Sequence, residues 1–152
     1  MRKIMFVCTG NICRSAMAEK MLQKRVLEEG LENQIEVFSA GLYAYPGDVP
    51  TYEALKVMKE QYDIDMMNHQ AQNVRDFPMK EMDVILCMTA SHKRALIEKF
   101  PALQEKIYTM KEYVGLKGDV VDPYGGTLAV YTNCAKELSE YIELLIKKEE
   151  EK

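Results

Sequence analysis

The apolar run Ile4-Met5-Phe6-Val7 leads through Cys8-Thr9-Gly10-Asn11-Ile12-Cys13-Arg14 into a helix predicted to begin near Ser15. No other stretch restricts the fold as much. A strand that passes into a helix through so short a loop turns successive backbone N–H groups toward one point, and the helix N-terminus adds about half a positive charge there. Such a loop is suited to wrap one tetrahedral oxyanion. Gly10 can take a positive φ without a Cβ penalty, and Asn11 is among the few side chains that tolerate the left-handed region. Cys8, at the mouth of the helix and beside Arg14, stands where a thiolate is favoured. A thiolate aimed at a cradled phosphorus is a nucleophile for covalent phosphoryl transfer. The planar fork of Arg14 can hold two equatorial oxygens and gains strength as charge develops on them. Ser15 is placed to hydrogen-bond the Cys8 sulfur and help it leave in a second step.

The pattern that follows alternates helices with strands. Ala18, Met21, Leu22 and Val26 recur at helical spacing, and Gly30 is a natural stop. Ile35–Ser39 reads as a strand ending in Ala40-Gly41, then comes a loop from Leu42 to Gly47 with two tyrosines. Tyr52–Lys59 reads as a helix, and Ile64–Phe77 as mostly loop. Asp83–Met88 is an almost continuous apolar run, as expected of a strand buried on both faces. Ser91 is expected to cap a helix running through Phe100, Lys106–Met110 to be a short strand, and Asp119–Gly126 a turn-rich loop. A last helix from about Thr127 would bury Ala135, Leu138, Ile142 and Leu145. This order predicts an α/β fold: one three-layer domain over residues 1–152, with a four-stranded parallel sheet, helices on both faces and the phosphate-binding loop after the first strand. Ligands of such sheets bind beyond the carboxyl ends of the strands, where strand order reverses. Cys8 and the loops after Ser39, after Met88 and around Asp122 are therefore expected at one edge.

Composition removes several classes of function. A formal net charge of −4 argues against a nucleic-acid partner, and no apolar run reaches membrane-spanning length. The apolar stretch after Met1-Arg2-Lys3 is too short for a secretory signal, so a cytoplasmic enzyme is expected. Cys8, Cys13, Cys87 and Cys134 include no Cys-x-x-Cys pair, so neither a metal nor another cofactor is expected. Cys87 and Cys134 fall in core patterns, whereas Cys8 and Cys13 flank one tight loop that could bring their sulfurs within disulfide range. Disorder is expected only over Lys147–Lys152.

Thiolate attack on a phosphate ester needs a proton donor opposite, which can later activate water. Asp122 is the candidate: it precedes Pro123, which fixes the backbone, and Gly125-Gly126 lets the chain turn tightly. Cys8-Thr9-Gly10-Asn11-Ile12-Cys13-Arg14-Ser15 with Asp122-Pro123-Tyr124 downstream resembles the low-molecular-weight protein tyrosine phosphatase family, in its bacterial branch, over essentially the whole chain. The resemblance implies a phosphocysteine on Cys8, phosphate binding by Arg14 and general acid chemistry at Asp122. It places Thr9, Gly10, Asn11, Ile12, Cys13 and Ser15 around the phosphate. It also implies that Ser39 and His69 hold Asn11 in a left-handed conformation, and that Cys13 can trap Cys8 as a reversible, redox-sensitive disulfide. Tyr124 and Tyr45 would wall the pocket. Ala16 stands where a proline commonly follows Arg-Ser, and Gly125 where many animal members carry a second aromatic.

The implied activity is hydrolysis of phosphotyrosine in a protein or peptide by a monomeric enzyme. Related protein arginine phosphatases are the sharpest alternative. They carry threonine in place of Ile12 and often phenylalanine in place of Tyr124. The larger Ile12 should narrow the pocket around a flat ring, although one methyl group discriminates by only about 1 kcal/mol. An arsenate reductase would need two further cysteines near one another, and a non-catalytic anion-binding module would need neither Asp122 nor a reactive thiol.

Overall fold

The computed structural model describes residues 1–152, and its strands lie in the order β2-β1-β3-β4, all parallel. They span Arg2–Cys8 (β1), Ile35–Gly41 (β2), Val84–Cys87 (β3) and Ile107–Thr109 (β4). Helices α1 (Arg14–Glu28), α2 (Tyr52–Tyr62), α3 (Ala90–Lys99), α4 (Met110–Tyr113) and α5 (Leu128–Glu150) connect and cover them. The chain is thus the three-layer α/β domain predicted above. β1 is central because its residues Ile4 to Val7 are apolar on both faces, and all four are fully buried. Ile4, Phe6 and Cys8 face a core shared with Met17, Leu22, Met58, Tyr131 and Leu138, from α1, α2 and α5. Met5 and Val7 face a smaller core with Ile85, Cys87, Leu96 and Ile107. The alternation follows from the two-residue period of a strand.

From β1 the chain moves to β2 on one side and later returns to β3 on the other. The carboxyl end of β1 is therefore the point where strand order reverses. The loop after Cys8 opens there. α1 buries Ala18, Met21, Leu22 and Val26, and Gly30, at φ +68°, ends it.

Several boundaries differ from expectation. Thr89, not Ser91, caps α3: its side chain accepts from the His92 N–H, and Ser91 is exposed. α2 runs on to Tyr62 and stops at Asp63, whose φ of +53° leaves the helical region. The unforeseen α4 starts at a capping box in which Thr109 accepts from the Glu112 N–H and the Glu112 carboxylate accepts from the Thr109 N–H. The expected disorder over Lys147–Lys152 is corrected: α5 continues to Glu150, because Ile146 is buried and buried Glu149 is paired with Arg2 at the start of β1.

Candidate active site

Residues 8–15 wrap the entrance to α1. Cys13 is the N-cap of that helix and makes no side-chain capping bond, so no side chain of the loop blocks the first-turn N–H groups. The one non-glycine of the loop in the left-handed region is Asn11, at φ +58°. Gly10 does not use that freedom: its φ is not positive, and a Cβ there would meet only Ile12 at ordinary contact distance. The close approach is made instead by Gly41 at the end of β2, where a Cβ would lie 2.6 Å from the Thr9 carbonyl oxygen and 3.0 Å from the Asn11 nitrogen. The motif gave no sign of this. It follows from the pairing of β2 with β1, which sets Gly41 opposite Cys8.

A directed set of hydrogen bonds holds Asn11. Its Nδ2 donates to Ser15 Oγ and to Ser39 Oγ, both at 2.8 Å, its Oδ1 accepts from the Gln72 N–H at 3.0 Å, and its carbonyl meets His69 Nε2 at 2.8 Å. Ser39 Oγ in turn donates to Glu19 Oε1 at 2.7 Å. The directions are forced. A carboxylate can only accept, so Ser39 spends its proton on Glu19 and must accept from Asn11. Ser15 also accepts from Asn11, and to a Cys8 thiolate, 2.9 Å away, its hydroxyl can only donate. The Asn11 N–H donates to the same sulfur at 3.3 Å. Ser39 and His69 thus sit where expected, while Glu19 and Gln72 lie far from the loop in sequence and complete the network.

Cys8, Thr9, Gly10, Ile12, Cys13, Arg14, Tyr45, Asp122 and Tyr124 line one cavity of about 340 Å³. Asn11 and Ser15 do not. They are fully buried beneath the loop, where their side chains support it. Two residues not singled out complete the lining: Tyr43, on the tyrosine-bearing loop, and Asp48. Cys8 is 3 % exposed and packs with the core, yet it lines this cavity, and its sulfur bonds to Ser15 and Asn11. The Cys13 sulfur lies 3.5 Å from the Tyr131 hydroxyl, and burial pushes its thiol up to about 11.

Arg14 is 4 % exposed and acts in two directions. Its Nη1 donates to the Val120 carbonyl at 2.8 Å, and its Nη2 lies 3.5 Å from Asp122 Oδ2. Asp122 is half exposed, so the ion pair contributes little to stability. Its significance is position: Asp122 lines the same cavity as Cys8 and Arg14. The Tyr124 N–H donates to Asp122 Oδ1 at 3.1 Å, which closes a turn of the kind that aspartate before proline favours. His92 was not expected here. Its Nε2 is 2.8 Å from Thr9 Oγ1, its Nδ1 is buried without a partner, and burial, aided by Arg14, pushes its pKa down to about 4. No cluster of side chains is arranged to hold a metal ion, and no helix is long and apolar enough to cross a membrane.

Known proteins resemble this chain in sequence and fold. The sequence profile described as low molecular weight phosphotyrosine protein phosphatase matches residues 3–152. A protein-arginine-phosphatase of Bacillus subtilis (strain 168) is 38% identical over 145 residues, covering 95% of this chain and 94% of that protein. The low molecular weight protein-tyrosine-phosphatase PtpB of Staphylococcus aureus is 36% identical over 140 residues, 92% of this chain and 94% of PtpB. Among solved structures, the low molecular weight protein tyrosine phosphatase from T. tengcongensis superposes with a TM-score of 0.92 at 44% identity, over 97% of this chain and 99% of that one. The YwlE arginine phosphatase from Geobacillus stearothermophilus gives 0.91 at 35% identity, over 99% and 94%. With a family profile matched over nearly the whole chain and relatives above 30% identity along its length, the chain belongs to the low molecular weight protein tyrosine phosphatase family, hydrolases whose typical route runs through a phosphocysteine.

Proposed function

We propose that the protein hydrolyses phosphotyrosine in proteins or peptides. The observation that carries this reading is that Cys8, Arg14 and Asp122 line one cavity whose walls include Ile12, Tyr43, Tyr45 and Tyr124. Those side chains offer flat apolar surface to a phenyl ring.

In the first step the Cys8 sulfur attacks phosphorus, the S–P bond forms as the P–O bond to the phenol breaks, and the Asp122 carboxyl gives its proton to the departing oxygen. Arg14 and the loop N–H groups take up the charge on the equatorial oxygens. In the second step the Asp122 carboxylate takes a proton from water, the water oxygen attacks phosphorus and the S–P bond breaks. The Ser15 hydroxyl, whose proton is directed at the sulfur, stabilises the departing thiolate. Inorganic phosphate leaves and Asp122 is again protonated. The four free cysteines fit a reducing compartment, hence the cytoplasm. The neighbouring positions of Cys8 and Cys13 in the cavity support a protective disulfide between them under oxidation.

Two similar proteins are named protein-arginine-phosphatases, so phosphoarginine is the competing substrate. Matched peptides carrying phosphotyrosine, phosphoarginine and phosphoserine test the choice. The expected result is a kcat/KM for phosphotyrosine at least about fivefold above phosphoarginine, with phosphoserine lowest. Ile12→Thr should move the ratio toward phosphoarginine. Faster turnover of phosphoarginine by the unaltered enzyme would reject this reading in favour of the other.

A further inference from the structure

Asp122 carries the reacting proton, yet little of its position comes from its own contacts. It is 53 % exposed, and its polar partners are Arg14 at 3.5 Å and the Tyr124 N–H of its own turn. The loop must therefore place it. On the upstream side residues 115–119 are all exposed, and Gly115 and Gly118 both have positive φ, so that stretch makes no packed stem. Two consecutive residues then fasten the chain. Val120 is buried, its N–H donates to the Met88 carbonyl at the end of β3, and its carbonyl accepts from Arg14. Asp119 is exposed but not free: its Oδ1 accepts from the Ala90 N–H at 2.9 Å, the first residue of α3. A carboxylate there also meets the positive end of the helix dipole. The same turn of α3 is tied to the phosphate loop, since His92 meets Thr9 at 2.8 Å. The loop bearing the acid and the loop bearing the nucleophile are thus fastened to one short piece of helix.

We propose that Asp119, through its bond to the Ala90 N–H, is a positioning residue that holds the Asp122 loop in register with the phosphate loop, with the first turn of α3 as the shared support. This rests on the reading of Asp122 as the general acid. A change at Asp119 should therefore weaken only the step that needs a proton. Asparagine keeps an acceptor at the same place and should recover most of the loss, whereas a role for the charge alone would leave asparagine no better than alanine.

The experiment measures kcat/KM, which reports the step in which the leaving group departs, on tyrosine phosphate and on dinitrophenyl phosphate. The latter has a leaving group that needs no proton. Asp122→Ala sets the scale, with a loss of about a hundredfold or more on tyrosine phosphate and little on the dinitrophenyl ester. Asp119→Ala is expected to lose about five- to thirtyfold on tyrosine phosphate and less than about twofold on the activated ester, with inhibition by inorganic phosphate unchanged. Asp119→Asn should stay within about threefold of the unaltered enzyme on both. Combining Asp119→Ala with Asp122→Ala should add nothing further. Equal losses on the two esters, an asparagine variant no better than alanine, or additive losses would overturn the tether while leaving the acid assigned. No leaving-group dependence in Asp122→Ala would overturn both.

Discussion

At the scale of single residues, four thiols of one type have different surroundings. Burial pushes the thiols of Cys13, Cys87 and Cys134 up to about 11, 12 and 12, so near neutral pH these three are protonated and unreactive. Iodoacetate near neutral pH should therefore label Cys8 first, inactivate the enzyme in step with that single label, and be blocked by inorganic phosphate. Peptide mapping by mass spectrometry checks this, and comparable early labelling of Cys13 would contradict it. Cys8→Ser should lose the label and the turnover together. That Cys8, Arg14 and Asp122 belong to one site was legible from residue types and spacing, because a thiol, a guanidinium and Asp-Pro each carry their chemistry wherever they stand. Asp48, Gln72 and Asp119 were not legible as contributors. Each is an ordinary polar residue whose role exists only through a neighbour brought up by the fold.

Elements behave differently from residues, because a strand or a helix places its neighbours by register. β2 is legible as a strand from Ile35-Glu36-Val37-Phe38, but which of its residues presses on the phosphate loop depends on its pairing with β1. That residue is Gly41. Gly41→Ala would bring a Cβ to 2.6 Å from the Thr9 carbonyl oxygen and 2.9 Å from the Ala44 Cβ, so backbone must shift where the bowl is formed. The expected outcome is a loss of about tenfold or more in kcat/KM, with a stability loss of about 1–3 kcal/mol and an unchanged far-ultraviolet circular dichroism spectrum. Gly10→Ala is expected to be the milder of the two, since its φ is not left-handed and an added Cβ would make only ordinary contact with Ile12. A more damaging Gly10→Ala would show that the motif, not the sheet register, sets the constraint. The cap of α3 teaches the same lesson. Thr89 and Ser91 are both competent caps, and only the end of β3 decides that Thr89 stands at the boundary.

Across the whole molecule, the chain's two ends are joined at the edge of the sheet away from the cavity. Arg2 in β1 pairs with Glu149 near the end of α5, Arg2 also donates to the Tyr113 hydroxyl at 3.0 Å, and the Glu149 side chain is 1 % exposed. Arg2→Met strands that carboxylate with only the Tyr113 hydroxyl, at 3.5 Å. Urea denaturation should show a loss of about 2–3 kcal/mol, with kcat unchanged at temperatures where the protein stays folded. Arg2→Met combined with Glu149→Leu should recover most of it, because no buried charge is then left without a partner. What the amino-acid sequence determined by itself is local in origin. Hydrophobic periodicity specified strands, helices and the layered α/β class, and the spacing from Cys8 to Arg14 specified an anion loop, since both depend on residues close along the chain. The tertiary structure alone decided which side chains support that loop, where the acid loop is fastened, and that the last helix persists to Glu150. Those outcomes rest on contacts between residues 28 to 147 positions apart, and a pair so separated leaves no periodic trace in the sequence until the fold closes the distance.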